Sequence, residues 1–142
     1  MTSWAPGMVF KPISLTPSVI SAITDALTPQ QTLALTAWAE ARSRYVPVSG
    51  WMPNPPEAMA DIVNVVDNRV KDPRWSALGH KGACLARRQF SCWDARGGSE
   101  NFYALMEQAQ RLIAGQTPLD KLLNCLALAE GCLAGNMVDS LG

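Results

Sequence analysis

Leu33-Ala34-Leu35-Thr36-Ala37-Trp38-Ala39-Glu40-Ala41 is apolar or small at almost every position, and its single carboxylate falls near its end. In helical register Glu40 shares a face with Leu33, Thr36 and Ala37, so it is expected to point toward packed surface. A carboxylate taken out of water resists ionising, and the negative end of a helix dipole acts in the same direction. Glu40 is therefore a candidate general acid. The bland alternative is a surface glutamate paired with Arg44 one helical turn on, worth a few tenths of a kcal/mol. Taken on composition alone, the bland alternative is the better one.

Outward from this segment, the chain is punctuated by Thr16-Pro17, Thr28-Pro29, Asp72-Pro73 and Thr117-Pro118. Each joins a good N-cap to a proline suited to the first helical position. The pattern predicts helices at about 17–26, 30–43, 56–71, 99–114 and 118–134, with short helical turns near 73–78 and 82–87. The fold class is mainly α. In the third helix Met59, Ile62, Val63, Val66 and Val70 recur at spacings of three and four, with Asp61, Asn64 and Lys71 elsewhere. Its β-branched content calls for tertiary packing to hold it. Leu119, Leu122, Leu123, Leu126, Ala129 and Leu133 make the last helix a second core element. Residues 1–15 read as an irregular arm, with Trp4 and Phe10 as anchors.

Two stretches resist helical assignment. Tyr45 to Pro55 carries three prolines and Trp51, which suits a surface loop or lid beside the end of the Glu40 helix. Arg88 to Gly98 alternates polar and aromatic residues before a glycine pair and suits a short strand or hairpin edge. There is no internal repeat or low-complexity tract.

With 142 residues, 48% of them hydrophobic and 17% charged, the chain can bury one core, and a single domain over residues 1–142 is expected. Twelve basic and twelve acidic side chains cancel, leaving no long-range field toward nucleic acid or an anionic membrane. The N-terminus lacks the cationic and apolar regions of a secretory signal, and no run approaches the roughly 18 apolar residues of a membrane span. A product made in the cytoplasm, without stable membrane association, is expected. Cys84, Cys92, Cys125 and Cys132 contain no CxxC pair and stand with a lone histidine, His80. Buried free thiols are the favoured reading, and neither a metal nor a cofactor is expected.

Three short words in order, Glu40-Ala41-Arg42, Asn68-Arg69-Val70 and Gln89-Phe90-Ser91, resemble the cell-wall hydrolases of the spore-cortex-lytic enzyme type, the SleB-like family. The apolar approach to Asn68, Ala58 to Asp67, is similar as well. The likeness covers residues 38–93. It implies a compact helical fold related to the lysozyme and lytic-transglycosylase group, with a small β element near the cleft. It further implies cleavage of peptidoglycan between N-acetylmuramic acid and N-acetylglucosamine, usually by lytic transglycosylation, with the family's catalytic glutamate carried onto Glu40. Family members commonly follow Glu-Ala-Arg with Gly-Glu, whereas Ser43-Arg44 and a proline-rich insertion follow here, which makes Glu57 the candidate for a second carboxylate.

Glycoside cleavage needs a proton delivered to the leaving oxygen, and ordinary hydrolases add a second carboxylate. A transglycosylase manages with one, because the substrate's own C6 hydroxyl attacks and the same glutamate can accept its proton. Gln89 and Ser91 offer groups for N-acetyl or ring hydroxyls, and Trp93, Trp51 and Tyr103 offer faces for sugar stacking. For Phe90 the core is the better reading, and Asn68 and Arg69 suit capping and packing of the cleft floor. The expected protein is a phage-type endolysin or virion-associated lysin acting on the cell wall after holin-assisted release or delivery in a particle. Rival readings are a non-catalytic helical module binding glycan or protein, and a thiol hydrolase of stem peptides using His80 and Cys84.

Overall fold

The computed structural model describes residues 15–41, 44–46, 50–52, 55–86, 90–95 and 100–135, with the backbone alone at 44–46, 50–52 and 100. It is mostly helical. Helix α1 spans Pro17–Ala26, α2 Pro29–Glu40, α3 Pro56–Lys71, α4 Gly79–Leu85, α5 Glu100–Ile113 and α6 Asp120–Leu133. Two short strands, β1 (Arg44–Val46) and β2 (Gly50–Met52), pair antiparallel between α2 and α3, with Tyr45 opposite Trp51. Single 3-10 turns occupy Ser76–Leu78 and Ser91–Trp93.

Helix α2 is the centre. Every residue from Thr32 to Ala39 is buried, and α3, α4, α5 and α6 all pack against it. A helix apolar on all sides has no solvent face to offer and is stable only when surrounded. Its two buried hydroxyls would be costly if unpaired. Thr32 Oγ1 donates to Thr28 O at 2.9 Å and Thr36 Oγ1 to Thr32 O at 2.8 Å, so each is satisfied within the helix.

The start of α2 is fixed by a reciprocal capping box: Thr28 Oγ1 accepts from Gln31 N at 3.1 Å, and Gln31 Oε1 accepts from Thr28 N at 3.0 Å. Thr16 caps α1 through Val19 N. Thr117 does not cap α6. Leu119 takes the extended cap conformation and its N–H goes to Gln108 Oε1 at 3.3 Å, so the helix begins at Asp120. Asp72 closes α3 instead of opening a helix, and its carboxylate accepts from Arg74 N at 2.9 Å. Helix α5 ends in paired turn bonds, Gly115 N to Leu112 O and Gln116 N to Arg111 O, with Gly115 at φ +73° as that reversal requires.

The core joins Ile23 and Leu27, the α2 residues, Met59, Val63 and Val66, and Phe102, Leu105, Met106 and Ala109 of α5. On α3 the expected stripe packs inward, with Ile62 and Val70 half-buried beside it. Asn64, expected on the polar side, is buried as well. On α6 the inward face differs from the leucine stripe. Leu122, Cys125, Ala129 and Cys132 are buried, while Leu119, Leu123 and Leu133 are exposed. Small side chains at 125, 129 and 132 let α6 come close to α2, and the larger leucines turn outward.

Three sequence expectations are corrected here. Helix α2 stops at Glu40, and Arg44 opens β1, so these two residues are not one turn apart on a helix. The stretch read as a loop from Tyr45 to Pro55 holds β2 and all of β1 after its first residue, Arg44. Of the stretch read as a strand from Arg88 to Gly98, the described residues 90–95 turn instead, with Trp93 N and Asp94 N folding back to Phe90 O and Ser91 O. The expected arm over residues 1–15 lies, up to residue 14, outside the described residues, as do Trp4 and Phe10. Among the described residues no helix is long and apolar enough to cross a membrane.

Candidate active site around Glu40

Glu40 is the last residue of α2, half-buried where Thr36 and Ala37 on its own face are fully buried. The 3-10 turn Ser91–Trp93 lies across this helix end. Cys92 N donates to Glu40 Oε1 at 3.3 Å, and the Cys92 thiol also hydrogen-bonds the carboxylate. Burial first, and then the charge of Glu40, push the Cys92 thiol far above its ordinary range, so it is a neutral donor and not a nucleophile. One turn back, Trp93 Nε1 donates to Thr36 Oγ1 at 2.9 Å. These bonds hold the Ser91–Trp93 turn along the last two turns of α2.

Two further contacts complete the surroundings. The Arg69 guanidinium lies 5.2 Å from the Phe90 ring centre, a cation–π contact that joins the end of α3 to the start of the same turn. Asn101 Nδ2 donates to Ala39 O at 2.9 Å, which satisfies a carbonyl at the open end of α2. Among the described residues, Arg69 Nη1 and Asn101 Oδ1 are both buried without a hydrogen-bond partner.

Of the residues singled out in the sequence, Glu40, Ser91 and Trp93 are brought together, with Ser91 exposed and Trp93 half-buried. Gln89 lies outside the described residues, and of Trp51 the backbone alone is described, in β2. Tyr103 is 43% exposed on α5 and meets Phe102 edge-on at 5.7 Å, with no contact to Glu40 among the described residues. Glu57 is exposed in the first turn of α3, again without a described contact to Glu40. Thr36, Cys92 and Asn101 escaped the sequence reading. Their roles come from partners more than fifty residues away, which no local pattern encodes.

The thiol pair proposed from sequence is not built for nucleophilic attack. Cys84 is buried, and its thiol is pushed up to about 11, chiefly by burial. His80 turns to α3, its Nε2 lying 3.0 Å from Asp67 Oδ1. The Cys132 thiol also hydrogen-bonds Asp67. All four cysteines are free and buried.

No family model, curated protein or solved structure matches this chain.

Proposed function

We propose that this chain degrades peptidoglycan, cleaving the bond between N-acetylmuramic acid and N-acetylglucosamine as a lytic transglycosylase with Glu40 as general acid and base. The observation that carries the reading is convergence. The three words that resemble the SleB-like hydrolases lie far apart in sequence, yet their segments meet: the Cys92 N–H beside Gln89-Phe90-Ser91 bonds Glu40, and Arg69 of Asn68-Arg69-Val70 stacks on Phe90. Unrelated short matches have no reason to assemble around the one acidic residue they single out.

In this mechanism Cys92 holds Oε1, and Oε2 is the oxygen that exchanges protons. Oε2 protonates the leaving oxygen, and as the oxocarbenium-like centre is captured by the substrate's own C6 hydroxyl, the same oxygen takes up that hydroxyl's proton. A second carboxylate is not required, which agrees with the exposed and separate position of Glu57. Ser91 is exposed beside Cys92, where it would bind sugar hydroxyls, and Trp93 would pack against a sugar ring. Gln89, Trp51 and Tyr103 are assigned to binding on the sequence argument alone.

In this reading the whole chain is one catalytic domain of lysozyme-like kind. The small β element of that fold would correspond to the β1–β2 pair, which begins at Arg44. The biological setting is that of a phage endolysin or virion-associated lysin, made in the cytoplasm and reaching the wall by holin-assisted release or in a particle. Purified sacculi test the activity. Wild type is expected to clear them and folded Glu40→Gln to leave them intact. A folded wild type that binds sacculi without solubilising them would instead establish the non-catalytic binding module.

A further inference from the structure

Away from Glu40, three helices bring together three different metal-binding chemistries. Asp67 comes from the last part of α3, His80 from the first turn of α4 and Cys132 from the last turn of α6. The carboxylate oxygen, imidazole nitrogen and sulfur all lie within 4.8 Å of one another. His80 Nε2 and Asp67 Oδ1 are 3.0 Å apart. Donors in a tetrahedral zinc site, bound at about 2.0–2.3 Å, stand roughly 3.3–3.6 Å from each other. Side-chain rotations that close the longest separation by about an ångström would reach that geometry.

We propose that Asp67, His80 and Cys132 form a binding site for one borderline transition-metal ion, zinc(II) fitting best, with a fourth position open to water. The donor set excludes the hard cations, since calcium and magnesium take oxygen ligands and reject thiolate and imidazole. One thiolate, one imidazole and one carboxylate match zinc, and three protein ligands are the number found where a fourth position stays open. Burial is graded in the same sense. Cys132 is buried, while the Asp67 and His80 side chains each keep 18% of their surface, so the site is approached from their side.

At present two protons do the work of the ion. His80 Nε2–H and the Cys132 thiol both donate to Asp67, and the metal replaces these hydrogen bonds: the thiol proton leaves to solvent, and the imidazole proton leaves Nε2, with the neutral ring keeping its one proton on Nδ1, so that Nε2 binds the ion. Lys71 is the adjacent cation, its Nζ 3.2 Å from Asp67 Oδ2. It engages the oxygen other than the one facing His80, and its side chain is 64% exposed, so it can turn into water when the ion binds. The consequence is mechanical as well as chemical. One ion would tie the end of α6 to α3 and α4, all of which surround α2.

The test is a cobalt(II) titration of the full chain under reducing, anaerobic conditions. One equivalent should produce a thiolate-to-cobalt charge-transfer band in the near ultraviolet and visible bands of tetrahedral strength. Zinc should displace the cobalt and raise the melting temperature by about 5–10 °C at saturation. Cys132→Ser should abolish the charge-transfer band, and His80→Gln should weaken binding about 100-fold. Cys125→Ser, which removes a buried thiol outside the cluster, should keep the band. His80→Gln alters a partly exposed side chain, so it decides the matter if Cys132→Ser does not fold. A folded wild type that shows no band at millimolar cobalt, or a band unchanged in both Cys132→Ser and His80→Gln, would overturn the site.

Discussion

Glu40 receives its partner from a segment fifty-two positions further along the chain: Cys92 N–H bonds Oε1, and in the proposed mechanism the other carboxylate oxygen exchanges protons. The amide of Glu40→Gln has the same shape and can still accept from Cys92 N–H, so thermal unfolding should be almost unchanged. Turnover of sacculi should fall by at least about 100-fold, the scale of losing a general acid and base. Asp67 offers a second test at this scale. Burial raises its pKa, but the bonds from His80, Lys71 and Cys132 outweigh it and hold the carboxyl below 3.8. A depressed native pKa contributes stability that is complete above the unfolded value and is lost as pH falls through the native one. The melting-temperature advantage of wild type over Asp67→Asn, measured with chelator present, should be constant above about pH 5 and shrink as the pH drops below about 4. Glu40 stands out in the sequence as the lone charge in an apolar run, and the resemblance, not composition, proposes its role. Thr36, Cys92, Asn101 and the Asp67 cluster do not stand out, because their meaning lies in contacts between distant helices.

Among the elements, the helices with strong local signals stand where their sequence puts them. Thr16-Pro17 and Thr28-Pro29 do open α1 and α2, and the stripe of Met59, Val63 and Val66 does bury one side of α3. Departures occur where a tertiary partner overrides a local preference. Gln108 takes the Leu119 N–H and moves the start of α6 past Thr117-Pro118. The Ser91–Trp93 turn gives up strand geometry to lie along α2 through Glu40 and Thr36. The capping box is a local device with a local cost. Thr28→Ala should lower stability by about 0.5–2 kcal/mol in denaturant unfolding, since it removes the acceptor for Gln31 N. Activity should survive at temperatures where the variant remains folded, because the opposite end of α2 carries Glu40.

At the scale of the whole molecule, α2 is the post around which α3, α4, α5 and α6 are arranged, and the candidate site lies at its C-terminal end. Rigidity there depends on the core. Phe102, 2% exposed, is a large side chain packed in the core, and Phe102→Ala should cost about 3–5 kcal/mol by calorimetry or denaturant unfolding. That is a large share of the roughly 5–15 kcal/mol available to a domain. The helical class and the inward stripe of α3 follow from spacing alone, whereas the choice of Cys125, Ala129 and Cys132 over Leu123 and Leu133 on α6 goes with how closely that helix packs on α2. The assembled end of α2 is also what turns a weak resemblance into a chemical proposal. Mass spectrometry of the muropeptides released from purified sacculi bears on it without intermediaries. Wild type should yield fragments ending in 1,6-anhydromuramic acid and Glu40→Gln none. Fragments with severed stem peptides and intact glycan, or the same anhydro products from both proteins, would contradict glycan cleavage by Glu40.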